Sequence, residues 1–263
     1  MTEYVSRGDP RRSMELLWGA GQTPTRGPKP GLDVATIVAA AIELADAEGL
    51  AAVSMRRVAE RLGKSAMALY TYVPGKAELL DLMLDTAYGE LAVDHDLDGG
   101  WRAAVEASAR ASWMFYEHHP WVLQISGARA LLGPGELDVF EAQLRLIDNL
   151  GLSGVDVMRT VGVVAGFVRG AAKALSDART AEQATGVSDD DWWNARSPYF
   201  EELSADVWST RYPTIAKLSE EHTFDPRAEA ENPYMVQDAL DTFEFGLQRL
   251  LDGIEAYIDA QRG

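Results

Sequence analysis

The chain has 263 residues, 47% of them hydrophobic, with seven tryptophans and no cysteine. This apolar content at this length excludes a disordered chain, and the missing cysteines exclude disulfides, thiolate metal sites and thiol redox sensing. The net charge of −17 is unevenly spread: residues 1–76 hold ten Lys/Arg against eight Asp/Glu, a net +2, and the remainder carries −19. An acidic body repels phosphate and would turn the N-terminal end toward a polyanion.

Residues 1–31 read as a flexible, basic N-terminal arm with Arg7, Arg11, Arg12, Arg26 and Lys29. Ser13–Trp18 has the makings of a helical turn or two, whereas the prolines and glycines of Pro24–Gly31 exclude a regular helix. The arm reads either as a plain tail or as a strand of arginines laid in a minor groove. It lacks the apolar core of a signal peptide. The most tempting apolar run, Thr160–Val168 between Arg159 and Arg169, falls far short of the roughly 20 residues a bilayer needs. No membrane association is expected, and the expected location is cytoplasmic.

From Asp33 the pattern turns helical, with Ile37, Val38, Ala41, Ile42 and Ala45 on one stripe. Asp33 is an N-cap and Gly49 a C-terminal stop. Ser54–Lys76, SMRRVAERLGKSAMALYTYVPGK, then predicts a helix capped by Ser54, a left-handed turn at Gly63, and a short helix opened by Ser65 and closed by Pro74-Gly75. Ala59 is small where two helices cross, and Val58, Leu62, Leu69 and Val73 lock the crossing. This stretch carries five bases, Arg56, Arg57, Arg61, Lys64 and Lys76, against one acid, Glu60. The layout is that of a helix-turn-helix reader. Ser65, Ala66, Met67, Tyr70 and Thr71 would face a major groove, and Tyr70, Tyr72 and Lys76 would meet phosphates.

Helical segments are predicted over Ala77–Ala92, Trp101–His118, Pro120–Gly127, Gly135–Leu150, Ser153–Ala178, Asp190–Leu203, Pro213–Glu221 and Asn232–Ala260, with Thr180–Asp191 the most mobile stretch of the body. No alternating pattern points to a sheet. Gly154, Met158, Gly162, Gly166, Gly170 and Ala174 recur every four residues and leave one nearly bare helix face. Glycine costs about 1 kcal/mol relative to alanine inside a helix, so close approach by another helix is expected there. That helix belongs either to the same subunit or to a twin, the latter through 153–178 and 232–260. On Trp101–His118, small polar residues among large apolar ones suggest a cavity with a few directing hydrogen bonds.

VSMRRVAERLGKSAMALYTYVPGKAELLDLM resembles the DNA-binding domain of the tetracycline-repressor family. It does so in the small Ala59, the turn glycine Gly63, the pair Leu69-Tyr70, the aromatic Tyr72 and Lys76. FEAQLRLIDNLGLSGVDVMRTVGVVAGFVRGA, with its Gln143–Arg145, resembles the C-terminal domain of the tetracycline-repressor subgroup, and FEFGLQRLLDGIEAYI resembles the closing helix of related repressors.

The resemblance implies an all-α chain. A three-helix helix-turn-helix domain over 32–76 would be followed by a helical ligand-binding and dimerisation domain over 77–263, working as a homodimer on a palindromic, double-stranded operator. It places Arg56, Ser65, Ala66, Met67, Tyr70, Thr71, Tyr72 and Lys76 at operator DNA. It places Ser108, Ser112, Phe140, Gln143, Met158, Val161 and Ala165 around a small-molecule inducer, with Tyr116 on the same stripe and Trp192 as an added aromatic wall. It also implies a repressor released by a small apolar or aromatic inducer, with residues 77–92 as the lever between head and body. Ala174 and Gly127–Arg129 stand where the subgroup holds a drug-bound metal, and the four histidines are few and scattered, so no metal and no cofactor are expected. On a helix, His118 and His119 point roughly 100° apart and would not share an ion easily. The alternatives are a DNA-binding module without an inducer and a helical enzyme, for which no phosphate loop or nucleophile–base pair is present.

Overall fold

A computed structural model describes residues 3–19, 32–91, 97–202, 205–224 and 231–262; Pro24–Gly31 and His95 lie outside them. Among the described residues the chain is helical, with one isolated parallel bridge, Glu3 to Ile125. The helices are α1 (Pro10–Leu17), α2 (Val34–Glu48), α3 (Met55–Arg61), α4 (Ala66–Tyr70), α5 (Lys76–Leu91), α6 (Gly100–His118), α7 (Pro134–Arg145), α8 (Gly154–Thr185), α9 (Asp189–Asn194), α10 (Ser197–Glu201), α11 (Ala205–Arg211), α12 (Pro213–Glu220) and α13 (Tyr234–Arg262). They form two compact units, residues 1–172 with 247–263, and residues 173–246.

In the first unit, the head is built by local chemistry. The Asp33 carboxylate accepts from Thr36 N at 2.8 Å and starts α2, and the Ser54 and Ser65 hydroxyls accept from Arg57 N and Ala68 N and start α3 and α4. Gly63 adopts φ +64, and Lys64 N closes back on the Ala59 carbonyl at 2.9 Å, ending α3. Ile37, Ala41, Val58, Ala59, Leu69 and Val73 are buried between the three helices and the start of α5.

The N-terminal segment departs from the expected free arm. Residues 3–19 are docked against α5 and the loop after α6. Glu3 N donates to the Gln124 carbonyl and Ser126 N to the Glu3 carbonyl, at 2.9 and 2.8 Å. Ser6 N and the Ser13 hydroxyl donate to the two oxygens of Asp81 on α5, at 2.8 and 3.1 Å, and Trp18 Nε1 donates to the Leu132 carbonyl at 3.0 Å. Val5 and Leu17 are buried in the core. Two apolar anchors and one buried acceptor suffice to seat a segment whose average composition is polar. Arg11 and Arg12, which one of the two readings of the arm would lay along DNA, pair with Glu15.

The N-terminus of α7 crosses α5 closely. A Cβ at Gly135 would sit 2.0 Å from the Asp85 carbonyl oxygen, while the Asp85 carboxylate accepts from Glu136 N at 3.0 Å and caps α7 from across the crossing. Arg102 of α6 ties that helix to α13 through Asp252 at 2.6 Å, Glu255 at 3.0 Å and Gln248 at 3.2 Å.

In the second unit the expected mobile stretch is helix as far as Thr185, and Ser188 caps a new helix by accepting from Asp191 N. The single helix expected over Asp190–Leu203 is two, α9 and α10, and α11 was not anticipated. Trp192, Trp193, Phe200, Trp208 and Tyr212 form a run of ring contacts with centroids 5.7–6.3 Å apart.

Candidate DNA-reading face and ligand cavities

The head presents α4 outward. Met67 is 75% and Tyr70 45% exposed, Ser65, Thr71 and Lys76 are exposed, and Leu69 on the opposite side is fully buried. Ala66 and Tyr72 are half-buried and pack on the core. Arg56 is exposed on α3 and bonds Glu60 at 2.8 Å. Counting bases within one stretch overstated the positive field here. Arg57 pairs with Glu48 and Arg61 with Glu43, both acids supplied by α2. Among the described residues Lys64 and Lys76 have no such partner, and they are the cations most available to phosphate.

A buried imidazole joins the head to the rest of the unit. His119, at the end of α6, is 2% exposed; its Nδ1 lies 2.7 Å from Asp46 Oδ1 on α2 and its Nε2 3.2 Å from Glu90 Oε2 on α5. Trp121 Nε1 donates to the same Asp46 oxygen at 2.7 Å. The adjacent His118 ring meets that of His119 edge to face at 4.5 Å, and one ligand atom each from Asp46, His118 and His119 lie within 4.8 Å of one another. The two histidines therefore converge more than helical spacing alone implied, because His119 already sits beyond the last helical residue. Both His119 nitrogens face carboxylates, so the cluster serves as a polar tie between α2, α5 and α6.

Of the expected ligand residues, Ser108, Ser112, Gln143, Val161 and Ala165 come together around a narrow cavity of about 30 Å3, with Trp101, Thr160 and Ile254 also in its wall. That is room for little more than a water molecule. Thr160, Val164 and Val168 share the cavity face of α8 at helical spacing, a signal the sequence did carry. Tyr116, Phe140, Met158 and Trp192 are placed elsewhere. Tyr116 lies under the Arg169 guanidinium at 5.7 Å, Phe140 and Met158 are 37% and 59% exposed, and Trp192 belongs to the second unit beside Trp193. Met158 keeps the period of the glycine stripe, which takes it off the cavity side of α8. Along that stripe a Cβ added at Gly154, Gly162, Gly166 or Gly170 would meet nothing within 4 Å among the described residues.

A second cavity, about 260 Å3, lies where the N-terminal segment, α5, the loop after α6, α7 and α8 meet. Its wall includes Val5, Leu84, Tyr88, Arg129, Glu136 and Arg169. Burial pushes the Tyr88 hydroxyl above its ordinary pKa, with the Tyr116 hydroxyl adding to the effect, so it stays protonated. Of its wall the sequence singles out only Gly127 and Arg129, and those as positions where the subgroup holds a drug-bound metal; the cavity itself was not anticipated, because its walls come from five segments scattered along the chain.

Residues 37–83 match the family of bacterial regulatory proteins named for tetR, and residues 95–258 match the tetracyclin repressor-like C-terminal domain. The chain is 45% identical over 263 residues to the HTH-type transcriptional repressor DrrR1 of Streptomyces coeruleorubidus, covering all of this chain and 92% of that one. The chain belongs to the tetracycline-repressor family. Its fold is also that of ActR from Streptomyces coelicolor. The apo form has TM-score 0.66 at 24% identity, covering 89% of this chain and 99% of ActR, and the actinorhodin complex has TM-score 0.67 at 27% identity, covering 87% and 97%. The relatives are transcriptional regulators. This member of the tetracycline-repressor family is accordingly a ligand-responsive, DNA-binding transcriptional regulator, with α2, α3 and α4 as its helix-turn-helix. No helix among its described residues is long and apolar enough to cross a membrane.

Proposed function

We propose that the protein is a homodimeric cytoplasmic repressor whose two α4 helices read successive major grooves of a palindromic operator, and which a small aromatic molecule releases. The outward Met67 and Tyr70 on a five-residue helix with a buried back face carry this reading. In this reading Ala66 and Met67 contact base edges and favour thymine methyls, while Arg56, Ser65, Tyr70, Thr71, Tyr72 and Lys76 position the backbone. The open glycine face of α8 supports a twin subunit, since a bare helix face in one protomer leaves room for close approach by another helix. A repressor relative at 45% identity supports the sign of regulation, and a family structure holding actinorhodin supports an aromatic ligand. Ligand acts by favouring one of two head separations, by as much as its affinities for them differ.

The test begins by selecting a random duplex library on the full chain, with a palindrome of half-sites about one helical turn apart as the expected product. Lys76→Ala lowers affinity for every sequence alike and reduces the salt slope by about one. Met67→Lys changes the preferred bases while leaving that slope no smaller. Failure to enrich any palindrome, or a Met67→Lys variant with unaltered preference, rejects the reading.

A further inference from the structure

We infer that the second cavity is the seat of the ligand, that the N-terminal strap of residues 3–8 is one of its walls, and that Arg129 and Arg169 select an acidic group on a small aromatic molecule. The inference deepens the ligand-responsive reading and rests on it. Capacity is the first argument. The cavity at Ser108 offers about 30 Å3, whereas this one offers about 260 Å3, just under the roughly 300 Å3 at which drug-sized pockets begin.

Charge is the second. The body is strongly acidic, and four of its arginines pair with carboxylates: Arg102 with Asp252, Arg110 with Glu106, Arg159 with Asp156 and Arg249 with Asp252. Arg169 instead spends Nη2 on the carbonyls of Val122, Leu123 and Ile125 and lies over the Tyr116 ring. That holds the guanidinium still, and its Nε and Nη1 have no partner among the described residues. Arg129, on the exposed loop at the mouth, has none either. Two guanidiniums without a carboxylate in one cavity of an acidic body suit an anionic oxygen pair, which a planar fork binds in two hydrogen bonds. The one acid in the wall, Glu136, already accepts from Leu132 N at 2.8 Å. Val5, Leu84, Val122, Ile125 and the Tyr88 ring supply an apolar bed for the rest of the ligand.

Position is the third. Leu84 and Tyr88 belong to α5, and the strap that contributes Val5 holds Asp81 of the same helix through Ser6 and Ser13. A ligand seated here touches the helix whose first residue, Lys76, belongs to the reading head.

The experiment uses the full chain without DNA, so its outcome is independent of operator selection. 6-Hydroxy-2-naphthoate and its uncharged primary amide are titrated calorimetrically, and amide hydrogen exchange is followed with and without the acid. The acid is expected to bind at least tenfold more tightly than the amide. Arg129→Gln erases that preference, Ser126→Trp at the mouth weakens both probes, and residues 3–8 and 81–88 exchange more slowly when the acid is bound. Both substitutions are on the outer loop, and a circular-dichroism melt confirms that each variant is folded. Absence of binding, equal affinities, an unaffected Arg129→Gln variant, or protection confined to the helices around Ser108 and Thr160 overturns the inference.

Discussion

Asp46 supports two buried side chains with one oxygen. Trp121 is 1% and His119 2% exposed, and both direct a ring nitrogen at Asp46 Oδ1. Leaving a buried polar group unsatisfied costs about 1–3 kcal/mol. Asp46→Ala should therefore lower the melting temperature by several degrees, and Asp46→Asn, which keeps the accepting oxygen, by less; calorimetry on both variants checks this. Gly135 is constrained in a different way. Its missing side chain lets the α7 N-terminus rest on the α5 backbone, and the Cβ of Gly135→Ala would strike the Asp85 carbonyl, which cannot swing aside as a side chain can. Overpacking of this kind costs about 1–3 kcal/mol. An Ala variant as stable as the parent in urea melts would mean that α7 shifts freely on α5.

At the scale of the element, α5 is the member to which the other parts of the first unit are fastened. The strap holds it at Asp81, α7 at Asp85, and His119 at Glu90. Burial raises the Asp81 carboxyl above its ordinary pKa, against the lowering effect of its bonds from Ser6 N and the Ser13 hydroxyl. A folded-state pKa above the unfolded one means that the native state binds more protons across that window. Stability contributed by Asp81 is then full below the ordinary carboxylate pKa and lost as pH rises through the raised one. Asp81→Asn removes the charge and keeps an acceptor for Ser6. Its melting temperature relative to the parent should be higher at pH 7 and converge on the parent's as pH falls toward 4. A difference that grows on acidification contradicts this assignment of the cause.

At the scale of the molecule, the proposed dimer would use the open stripe on α8 as its seam. Since a Cβ at Gly166 meets nothing within 4 Å among the described residues, Gly166→Arg should fold normally yet run as a monomer in light-scattering chromatography, and lose operator affinity because one head reads only half a palindrome. A dimeric Gly166→Arg variant would move the subunit interface elsewhere.

The parts of this protein legible in its sequence are those specified by neighbours along the chain. The caps Asp33, Ser54 and Ser65, the left-handed Gly63 and the buried Val58, Ala59 and Leu69 each follow from the three or four residues around them, so the helix-turn-helix could be drawn before any coordinates. Of the five named residues that line the narrow cavity, Ser108 and Ser112 stand on one helical stripe of α6, whereas Gln143, Val161 and Ala165 are named through the family resemblance and not through their neighbours. What only the tertiary structure decided depends on partners far apart in sequence. The seating of Val5 and Ser6 on α5, the neutralisation of Arg57 and Arg61 by acids of α2, the meeting of Asp46 with His119 and the cavity between strap and α5 all pair residues whose separation leaves no periodic trace. Short-range sterics and hydrogen bonds determine where helices start and stop, whereas burial of a charge or the shaping of a cavity is settled only when distant segments pack and exclude water together.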